Sequence, residues 1–523
     1  MRILWLHVLL CFSTIASAGD MKAARRAAAA RPRPLIFNND GCDVVYEMKQ
    51  PTVEDLLSRR TAPLAGSQVS TIFYCTISSP FGVFTHHSKV GDLFKTREAP
   101  FAANMTQALL ERQIDPLRVM VDWCRANHVE LFWSMRMNDT HDAGRTGYGP
   151  VMFRTSRVKT QHPDWLMSTV DNPLKFGKWS SVDYGRAEIR DLAFRYVEEV
   201  CRNYDVDGIE LDFLRHALFF RSSAAGAPAT TEELGQMTDL LRRIRTMADD
   251  VGAQRGRPIL LAMRVPDSVE YCKAIGLDLE TWLRDDLLDL LVTAGYTQLN
   301  PVDYSVVLAH QYGVKVYPSL DETRIKDQPG SNMRSTLLAY RGRTMAAWAS
   351  GVDGIYMFNF FDPTSPLWNE LGDPSKLNTL DKDYFASIRG SGAMPVPHQP
   401  FQKAPTLNPS DPLKLEVGKT TSVDIVIGDD FAAAQAAGRT AAVLLRLIVK
   451  NLQQARDIDV RFNGVPINNA KMTNGWLEAP LAVTTMKRGQ NAVSLTPKPD
   501  ATFTTWRDLH ITVRYSTKSQ TAK

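Results

Sequence analysis

The sequence has little cysteine, no large excess of either charge and no long apolar run beyond its first residues. It contains 6 cysteines in 523 residues, and its formal net charge is only +4. A near balance of charges gives no reason to expect nucleic acid or an acidic membrane as a partner. No later segment is apolar enough to span a bilayer, so we expect no membrane span in the mature protein.

The cysteines are too few and too scattered to form a disulfide framework. None belongs to a C-x-x-C pair, and no Cys/His spacing typical of structural zinc is present. Cys11 lies within the first 18 residues, which we expect to be removed as a signal peptide. We predict buried thiols for the other five, and we expect neither a metal nor another cofactor. These five are Cys42, Cys75, Cys124, Cys201 and Cys272.

The first 18 residues have the layout of a secretory signal. Arg2 supplies a positive charge, residues 3–15 form an apolar run, and Ala16-Ser17-Ala18 is an A-x-A cleavage site. A membrane anchor is the alternative, but the run is short for a bilayer span. We predict cleavage after Ala18 and a secreted or periplasmic protein. Residues 19–34, rich in Ala, Arg and Pro, are predicted to be a disordered spacer.

From residue 35 to residue 392 short β-rich runs alternate with amphipathic helical runs. Regular alternation of this kind predicts an α/β fold with a parallel sheet, and eight units that close on themselves form a (β/α)8 TIM barrel. The alternative is an open doubly wound sheet, but no G-x-G-x-x-G opens the first unit. The eight predicted strands are 35–39, 71–77, 130–136, 207–213, 259–264, 288–294, 314–319 and 354–360.

The pattern changes after the predicted barrel. Residues 393–412 are rich in Pro and are predicted to be a linker. Residues 413–517 then show short strands separated by turn signals such as Asn463-Gly464, without regular helices between them. This pattern predicts a C-terminal antiparallel β-sandwich that serves as an accessory domain.

In a (β/α)8 barrel the active site lies at the carboxyl ends of the strands. Polar residues follow most of the predicted strands at this end, which favours a binding or catalytic site there. We therefore predict a substrate-binding role for a set of side chains around this end. They are Trp133, Arg136, Asn138, Asp139, His141, Arg215, Arg264, Tyr296, Asp321 and Asn359.

Two carboxylates stand two residues apart on the fourth predicted strand. Side chains alternate faces along a strand, so Glu210 and Asp212 point the same way, about 6–7 Å apart. Glycoside hydrolysis uses two carboxyl groups. Glu322, after the seventh strand, is a candidate for the second, with the adjacent Asp321 as its competitor. The alternative for Glu210 is a buried ion pair with Arg136 or Arg264, which leaves only Asp212 reactive.

Histidines and tryptophans near the predicted mouth have open roles. His86, His87, His141 and His216 can bind a metal together with Asp139 and Asp142, hydrogen-bond sugar hydroxyls, or simply lie in loops. No H-E-x-x-H motif is present, and we expect no metal. The four tryptophans near the mouth can stack on sugar rings or pack beneath long loops. They are Trp133, Trp165, Trp179 and Trp368.

The segment Asp207-Gly208-Ile209-Glu210-Leu211-Asp212-Phe213-Leu214-Arg215 resembles the D-G-I-x-x-D-[YF]-x-R strand of the glycosyl hydrolase-like family ten barrels. The resemblance covers residues 35 to about 390 and implies a barrel of the glycoside hydrolase superfamily. Chitinase-type barrels have a related D-G-x-D-x-D-x-E strand whose last Glu is the catalytic acid. Leu214 stands at that place here, so a chitinase mechanism is not expected.

The same strand also resembles the G-F-R-x-D-x-x-x-H segment of α-amylase-type barrels. Gly208, Asp212 and His216 match this pattern, and Glu210 replaces its Arg. In that family the Asp is the nucleophile, so the resemblance implies this role for Asp212. We therefore predict an exported glycoside hydrolase that cleaves a poly- or oligosaccharide. Asp212 would be nucleophile or base, Glu322 the acid, and Glu210 would tune Asp212.

Two other functions remain open. A non-catalytic carbohydrate-binding protein on the same barrel would bind glycans without turnover. A metal-dependent hydrolase would need Asp139, His141 and Asp142 to converge on one point. The three arginines at the mouth also suit anionic groups on a sugar, because guanidinium matches carboxylate geometry.

Overall fold

The computed structural model describes residues 18–78, 80–293, 298–320, 325–386, 394, 396–403, 407–499, 501 and 505–517. Eight parallel strands close a barrel in which each strand pairs with its neighbours in the chain, and the last pairs with the first. The predicted barrel is therefore confirmed. The strands are β1 (Leu35–Asp40), β2 (Val69–Cys75), β3 (Glu130–Arg136), β4 (Gly208–Asp212), β5 (Leu260–Val265), β6 (Leu290–Thr293), β7 (Lys315–Leu320) and β8 (Ile355–Phe358).

The barrel strands are apolar because both of their faces are covered. All residues of β4 and β5 are buried, which is expected for a parallel sheet with side chains inside and helices outside. Phe73 of β2 stacks on Phe132 of β3 inside the barrel, with ring centroids 4.6 Å apart. The carboxylates of β4 therefore lie in an otherwise apolar core.

The helices surround the barrel and begin at recognisable caps. In α10 a capping box joins Thr230 and Glu233, and Gly256 ends the helix at φ 68°. Asp115 caps α5 through two backbone amides. None of the described helices is long and apolar enough to cross a membrane.

The described helices are α1 (Ala18–Ala29), α2 (Gly41–Glu47), α3 (Val53–Ser58), α4 (Thr106–Glu111), α5 (Pro116–Ala126), α6 (Gly149–Thr155), α7 (Arg157–Gln161), α8 (Ala187–Asn203), α9 (Arg221–Ala225), α10 (Thr231–Arg255), α11 (Val269–Ala274), α12 (Leu279–Arg284), α13 (Val302–His310), α14 (Gln328–Arg334), α15 (Leu337–Ala349), α16 (Pro374–Leu377) and α17 (Phe431–Ala436).

The prediction of a disordered spacer over residues 19–34 is wrong. Helix α1 packs on the outside of the barrel, and its Arg25 side chain is only 3% exposed. Arg25 donates to Asp286 at 2.6 Å and to Asp289 at 3.2 Å. Arg33 is fully buried and donates to Glu130 of β3 at 2.9 Å. This Ala- and Arg-rich segment is ordered because its buried arginines form ion pairs with carboxylates of the barrel domain.

The C-terminal region is an antiparallel β-sandwich, as predicted. One sheet has the order β9-β18-β12-β16-β15, with β10 also pairing with β18, and the other has the order β11-β17-β13-β14. The strands are β9 (Lys382–Phe385), β10 (Leu413–Lys414), β11 (Thr421–Ile427), β12 (Arg439–Lys450), β13 (Ile458–Phe462), β14 (Val465–Pro466), β15 (Lys471–Thr473), β16 (Trp476–Leu481), β17 (Gly489–Pro497) and β18 (Thr505–Thr517).

The boundary between the two domains differs from the predicted one. Strand β9 falls within the predicted barrel range 35–392 but pairs with β18 of the sandwich. The described part of the predicted linker 393–412 packs on the barrel, because Tyr271 donates to the carbonyl oxygen of Val396 at 2.7 Å and Leu407 is fully buried. The composition identifies this segment as Pro-rich, but it does not predict that the segment packs on the barrel.

A buried ion pair joins the barrel to the sandwich. Arg334 of α14 and Asp508 of β18 are fully buried and share two hydrogen bonds, at 2.8 and 3.1 Å. The two domains are thus linked by a pair of charges that water does not reach. A second fully buried pair, Lys382 of β9 and Asp429, lies within the sandwich, with the two groups 2.9 Å apart.

The cysteines behave as predicted. All five described cysteines are free thiols with buried side chains, and each lies in or beside a barrel strand or a helix that packs on the barrel. Burial raises the pKa of the Cys124 thiol, so the thiolate is disfavoured there. They contribute to the apolar core.

Candidate active site at the barrel mouth

The register of the barrel places three charged side chains abreast at the carboxyl end. Asp212 of β4 pairs in register with Arg136 of β3 on one side and with Arg264 of β5 on the other. One pleat deeper, Glu210 lies between Ser134 and Ala262. Asp212 is therefore the outer and Glu210 the inner carboxyl of the same strand face.

Asp212 is held in place on both of its oxygens. Oδ1 accepts hydrogen bonds from the backbone amides of Leu214 and Arg215, each at 3.0 Å. Oδ2 accepts from the Arg264 guanidinium at 3.1 Å. The side chain is 3% exposed. Donors of this kind stabilise a carboxylate, so Asp212 is arranged as an anion at the mouth.

Glu210 has a different environment. It is fully buried, and the Tyr356 hydroxyl donates to its Oε1 at 2.8 Å. Burial and the charge of Asp212 raise the pKa of Glu210 to about 7, although Arg264, Ser134 and Tyr356 act in the opposite direction. Glu210 is therefore the carboxyl of this strand whose pKa its surroundings raise.

The predicted alternative of an ion pair for Glu210 is not what the structure shows. Arg264 hydrogen-bonds to Asp212, and its guanidinium also lies 3.9 Å from the ring centroid of Phe358. Arg136 donates to Asp139 at 2.9 Å and makes a second, short contact with Asp40. Both arginines therefore have other carboxylate partners.

A second cluster of polar groups lies beside this strand face. Asp139 is fully buried, and its Oδ1 accepts from the backbone amide of His141 at 3.0 Å and lies 2.7 Å from Nδ1 of the same residue. Burial raises the pKa of Asp139, but His141, Arg136 and His216 outweigh burial and hold it well below its usual range. Asp139 is therefore an anion that orients the His141 ring.

The loop after β4 closes this cluster. Nη2 of Arg215 lies 2.7 Å from Nε2 of His141. His216 has a left-handed backbone, with φ 57°, and its Nδ1 accepts the backbone amide of Thr140 at 3.1 Å. Burial lowers the pKa of His216 well below its usual value. A strained non-glycine residue at this place is a feature common at functional sites.

Asp139, His141 and His216 have ligand atoms within 4.8 Å of one another, so we tested whether they suit a metal. The contacts do not fit one. Nδ1 of His216 receives a backbone amide, and Nε2 of His141 faces the Arg215 guanidinium. A guanidinium carries donors only, and a metal needs the same lone pairs. The cluster is arranged as a hydrogen-bonded network.

Asp142 does not converge with Asp139 and His141, as the alternative of a metal-dependent hydrolase would need, because its carboxylate has other partners. Asp142 is fully buried and forms an ion pair with Lys159, which is also fully buried, at 2.9 Å. Ser180 donates to the same carboxylate at 2.7 Å. Lys159 also donates to the carbonyl oxygen of Asp139 at 3.1 Å. Asp142 therefore fixes the loop that carries the cluster.

Several predicted binding residues serve the fold instead. The amide of Asn138 donates to the carbonyl oxygens of Val182 and Leu218, and its oxygen accepts the amide of Val182. Trp133 is fully buried on the outer face of β3 and donates to Thr76 at 2.7 Å. A substrate-binding role for Asn138 and Trp133 is therefore not part of our proposal.

The other tryptophans and histidines mostly lie in supporting positions. Trp368 is 1% exposed and packs edge-on against Phe37. The buried ring of His86 contacts Thr76, and burial lowers its pKa to about 4. The remaining ones differ in exposure. Trp165 stacks on His162, Trp179 donates to the carbonyl oxygen of Ala143, and His87 is exposed.

Asn359 follows β8 at the mouth, as predicted. Its backbone is left-handed, with φ 50°, and its buried Oδ1 has no hydrogen-bond partner among the described residues. An unpaired acceptor here is available to a donor on a ligand. Tyr296, Asp321 and Glu322 lie outside the described residues, so the predicted acid Glu322 remains a prediction from the sequence.

Sequence reasoning missed three side chains of the site. Asp40, the last residue of β1, joins Arg136 and the thiol of Cys42. Tyr356 reaches Glu210 from β8 across the barrel. Asp267, after β5, accepts the amides of Leu299 and Asn300 and fixes that loop. The position of Asp40 at a strand end was a usable signal, but the other two partners are set by barrel closure.

Comparison with known proteins gives only distant similarities. No family model matches the chain, and no curated protein matches it. The predicted membership of family ten therefore stays a prediction.

Solved structures that are similar to the chain include glycoside hydrolases. An α-amylase from Geobacillus thermoleovorans is 10% identical, with 89% of this chain and 98% of that chain covered and a TM-score of 0.37. A GH36 α-galactosidase from Geobacillus stearothermophilus is 11% identical, with 92% and 59% covered and a TM-score of 0.39. A maltogenic α-amylase from Thermotoga neapolitana is 12% identical, with 88% and 98% covered and a TM-score of 0.36. Similarities this distant carry no argument about activity, and the barrel is assigned from its own strand order.

Proposed function

We propose that the protein is an exported glycoside hydrolase in which Asp212 is the reacting carboxylate. The observation that carries this proposal is the division of the two carboxyls on β4. Asp212 accepts hydrogen bonds from Arg264 and two backbone amides at the mouth, and Glu210 lies beneath it with a raised pKa. Two carboxyls in different environments are the working parts of glycosidases.

Asp212 has an atom available for chemistry. A carboxylate oxygen has two lone pairs, and Oδ2 of Asp212 accepts one hydrogen bond, from Arg264, among the described residues. The remaining lone pair can attack the anomeric carbon or remove a proton from an attacking water. In either case the bond to the leaving oxygen breaks, and that oxygen takes a proton from an acid. Glu322 is our candidate for the acid.

Glu210 tunes this step through Arg264. When Asp212 becomes an ester or takes up a proton, Arg264 loses the negative charge beside it. The charge of Asp212 also contributes to the raised pKa of Glu210, so that pKa falls at the same moment. Glu210 can then release its proton to solvent and, as an anion, balance Arg264, which stabilises the charge distribution that develops during the reaction.

The test is an activity screen of the purified protein against neutral, sulfated and uronate glycans. Asp212→Asn should lower kcat/KM by about 10²–10⁴-fold on any glycan that the unchanged protein cleaves, the range for losing a positioned proton-transfer group. His87→Asn, which changes an exposed ring, is the matched control. Unchanged turnover in Asp212→Asn would refute the assignment. The anomer of the first product, read by NMR, separates attack by Asp212 from attack by water.

One observation favours a second candidate, a non-catalytic carbohydrate-binding protein. Both oxygens of Asp212 accept hydrogen bonds and Glu210 is fully buried, and carboxyls held in this way also suit a purely structural or binding role. This candidate predicts glycan binding without cleavage, and Asp212→Asn would then weaken binding only. Calorimetry on the same glycan panel distinguishes the two functions.

Export is part of the proposal and has its own test. Cleavage after Ala18 would leave the buried Met21 and Arg25 of α1 in the mature chain, so the packing of α1 on the barrel would survive. We expect N-terminal sequencing of the secreted protein to begin at Gly19. Retention of residues 1–18 in the secreted protein would contradict this.

A further inference from the structure

The rings of His141 and His216 stand together at the barrel mouth. Their centroids are 4.7 Å apart, with the planes at 74°. Their side chains are 23% and 30% exposed, whereas the Asp139 carboxylate between them is fully buried. Nδ1 of each ring lies on the side of this carboxylate, 2.7 and 3.8 Å from its Oδ1, so Nε2 is the outer nitrogen of each ring.

Two contacts fix the neutral tautomer of His141. Its Nδ1 lies 2.7 Å from the anionic Asp139, which can only accept, so Nδ1 carries the hydrogen. Its Nε2 lies 2.7 Å from a guanidinium nitrogen of Arg215, which can only donate, so Nε2 is the acceptor. The two contacts agree, and the outer nitrogen of His141 therefore presents a lone pair.

His216 has the opposite tautomer. Its Nδ1 accepts the backbone amide of Thr140, and an amide can only donate, so the hydrogen of the neutral ring lies on Nε2. Burial, together with Arg215, His141 and Arg136, disfavours the charged ring, although Asp139 acts in the opposite direction. The outer nitrogen of His216 therefore presents an N–H.

We propose that His141 and His216 form a recognition site for two adjacent hydroxyls of a sugar, one donating to Nε2 of His141 and the other accepting from Nε2 of His216. Vicinal hydroxyls lie about as far apart as hydrogen-bonded oxygens, so two outer nitrogens on rings in contact suit them. The substrate hydroxyl donates to Nε2 of His141 and its oxygen accepts the Arg215 N–H, which a metal cation facing the positively charged guanidinium could not do. This inference deepens the proposed carbohydrate activity and rests on it.

The backbone supports this reading of His216. A left-handed φ of 57° is unfavourable for a residue with a Cβ, so the fold holds His216 there against a local preference. The strain places Nδ1 on the Thr140 amide and thereby sets the donor on the outer edge.

The tautomers are tested first, on the unchanged protein. Nitrogen-15 NMR of the histidine-labelled full chain at pH 8 should show Nε2 of His141 without a hydrogen and Nε2 of His216 with one. Single substitutions His141→Gln and His216→Gln assign the two signals, and His87→Gln is the control outside the pair. Identical tautomers at the two rings would overturn the proposal.

Binding is tested with simple diols, so that no glycosidase activity is needed. The probes are trans- and cis-cyclohexane-1,2-diol and the methyl glycosides of glucose, galactose, mannose and xylose, with cyclohexane-1,3-diol as the control. At least one vicinal diol should shift both Nε2 signals together, with a larger effect than the 1,3-diol. If no probe shifts either signal at 100-fold excess over protein, the site is refuted.

The variants measure what each ring contributes. His141→Leu and His216→Leu should each weaken binding of the responding probe about ten-fold, the loss of one hydrogen bond. His141→Gln should retain more affinity, because its side-chain oxygen can replace the acceptor. Equal binding in all variants would overturn the proposal.

Failure of the diol site and failure of the hydrolase assignment would give different experimental results. Glycan cleavage with unchanged KM in both leucine variants would contradict the diol site and leave the hydrolase assignment intact. Paired NMR shifts with no cleavage of any glycan would support the diol site and refute the hydrolase.

Discussion

The barrel mouth and the interface between barrel and sandwich both bury charged groups, but they pair them differently. At the interface Arg334 forms two hydrogen bonds with Asp508, and no second carboxyl contacts its guanidinium in the described part of the chain. At the mouth Arg264 contacts Asp212 and also lies close enough to the deeper Glu210 to lower its pKa. The mouth therefore has one more carboxyl than its ion pairs require.

The difference separates structural from functional charge. Breaking a buried pair leaves an uncompensated charge, and so interface pairs of this kind are fixed parts of the architecture. A second carboxyl with a raised pKa costs stability when it ionises, and it is useful only where charge changes during a reaction. The extra carboxyl at the mouth, rather than the number of buried charges, is what points to chemistry.

The largest stability difference should appear when one carboxylate is removed from each region. Asp508→Asn leaves Arg334 unpaired and should lower the free energy of unfolding at pH 8 by about 3–5 kcal/mol. Asp212→Asn should cost about 1 kcal/mol, because Glu210 can ionise and balance Arg264. Urea unfolding of both variants measures this. Equal losses would show that Glu210 does not compensate, and the contrast between the regions would fail.

The next effect is the pH dependence that Glu210 imposes on stability. Its pKa is 4.5 in the unfolded chain and about 7 in the fold, so the folded state holds the extra proton between these values. The stability that this group contributes is present below pH 4.5 and is lost as pH rises through 7. Glu210→Gln should remove this decline, on the order of 3 kcal/mol.

Unfolding of the unchanged protein and of Glu210→Gln at pH 4.5, 6 and 8 gives this difference directly. Asp508→Asn is the control: Asp508 has a lowered pKa, so its contribution to stability changes only at more acidic pH, and the loss in this variant should be constant across these pH values. A constant difference between the unchanged protein and Glu210→Gln across these pH values would contradict the raised pKa.

The smallest effect concerns the hydroxyl that reaches Glu210 across the barrel. Tyr356→Phe removes one hydrogen bond and should cost about 1 kcal/mol of stability. It should also raise the pKa of Glu210 further, since this hydrogen bond lowers it. Thermal unfolding and a carboxyl titration measure the two changes. A lowered pKa in this variant would show that Tyr356 acts on Glu210 in another way.

Much of the fold could be predicted because it depends on local patterns. Eight apolar runs separated by amphipathic helical runs predicted every barrel strand. The change of pattern near residue 390 predicted the sandwich. Helix α1 could not be predicted from its Ala- and Arg-rich composition. Its order depends on Asp286 and Asp289, more than 250 residues away in the chain.

The candidate site was predicted only in part. Alternation along β4 correctly placed Glu210 and Asp212 on one face, because that spacing is local. The pairing of Arg264 with Asp212, the link from Tyr356 to Glu210 and the role of Asp40 depend on how distant strands meet. The loop roles of Asn138 and Asp142 were hidden for the same reason.

The most direct test of the account is the titration of Glu210 itself. Carbon-13 NMR of glutamate-labelled protein, with Glu210→Gln to identify the signal, reports its protonation from pH 4 to pH 9. We expect a midpoint near 7 in the unchanged protein and a lower midpoint in Asp212→Asn, where the neighbouring charge is gone. A midpoint near 4.5 that Asp212→Asn leaves unchanged would contradict the central claim, which is that burial and the charge of Asp212 raise the pKa of Glu210 and so give the two carboxyls of β4 different roles.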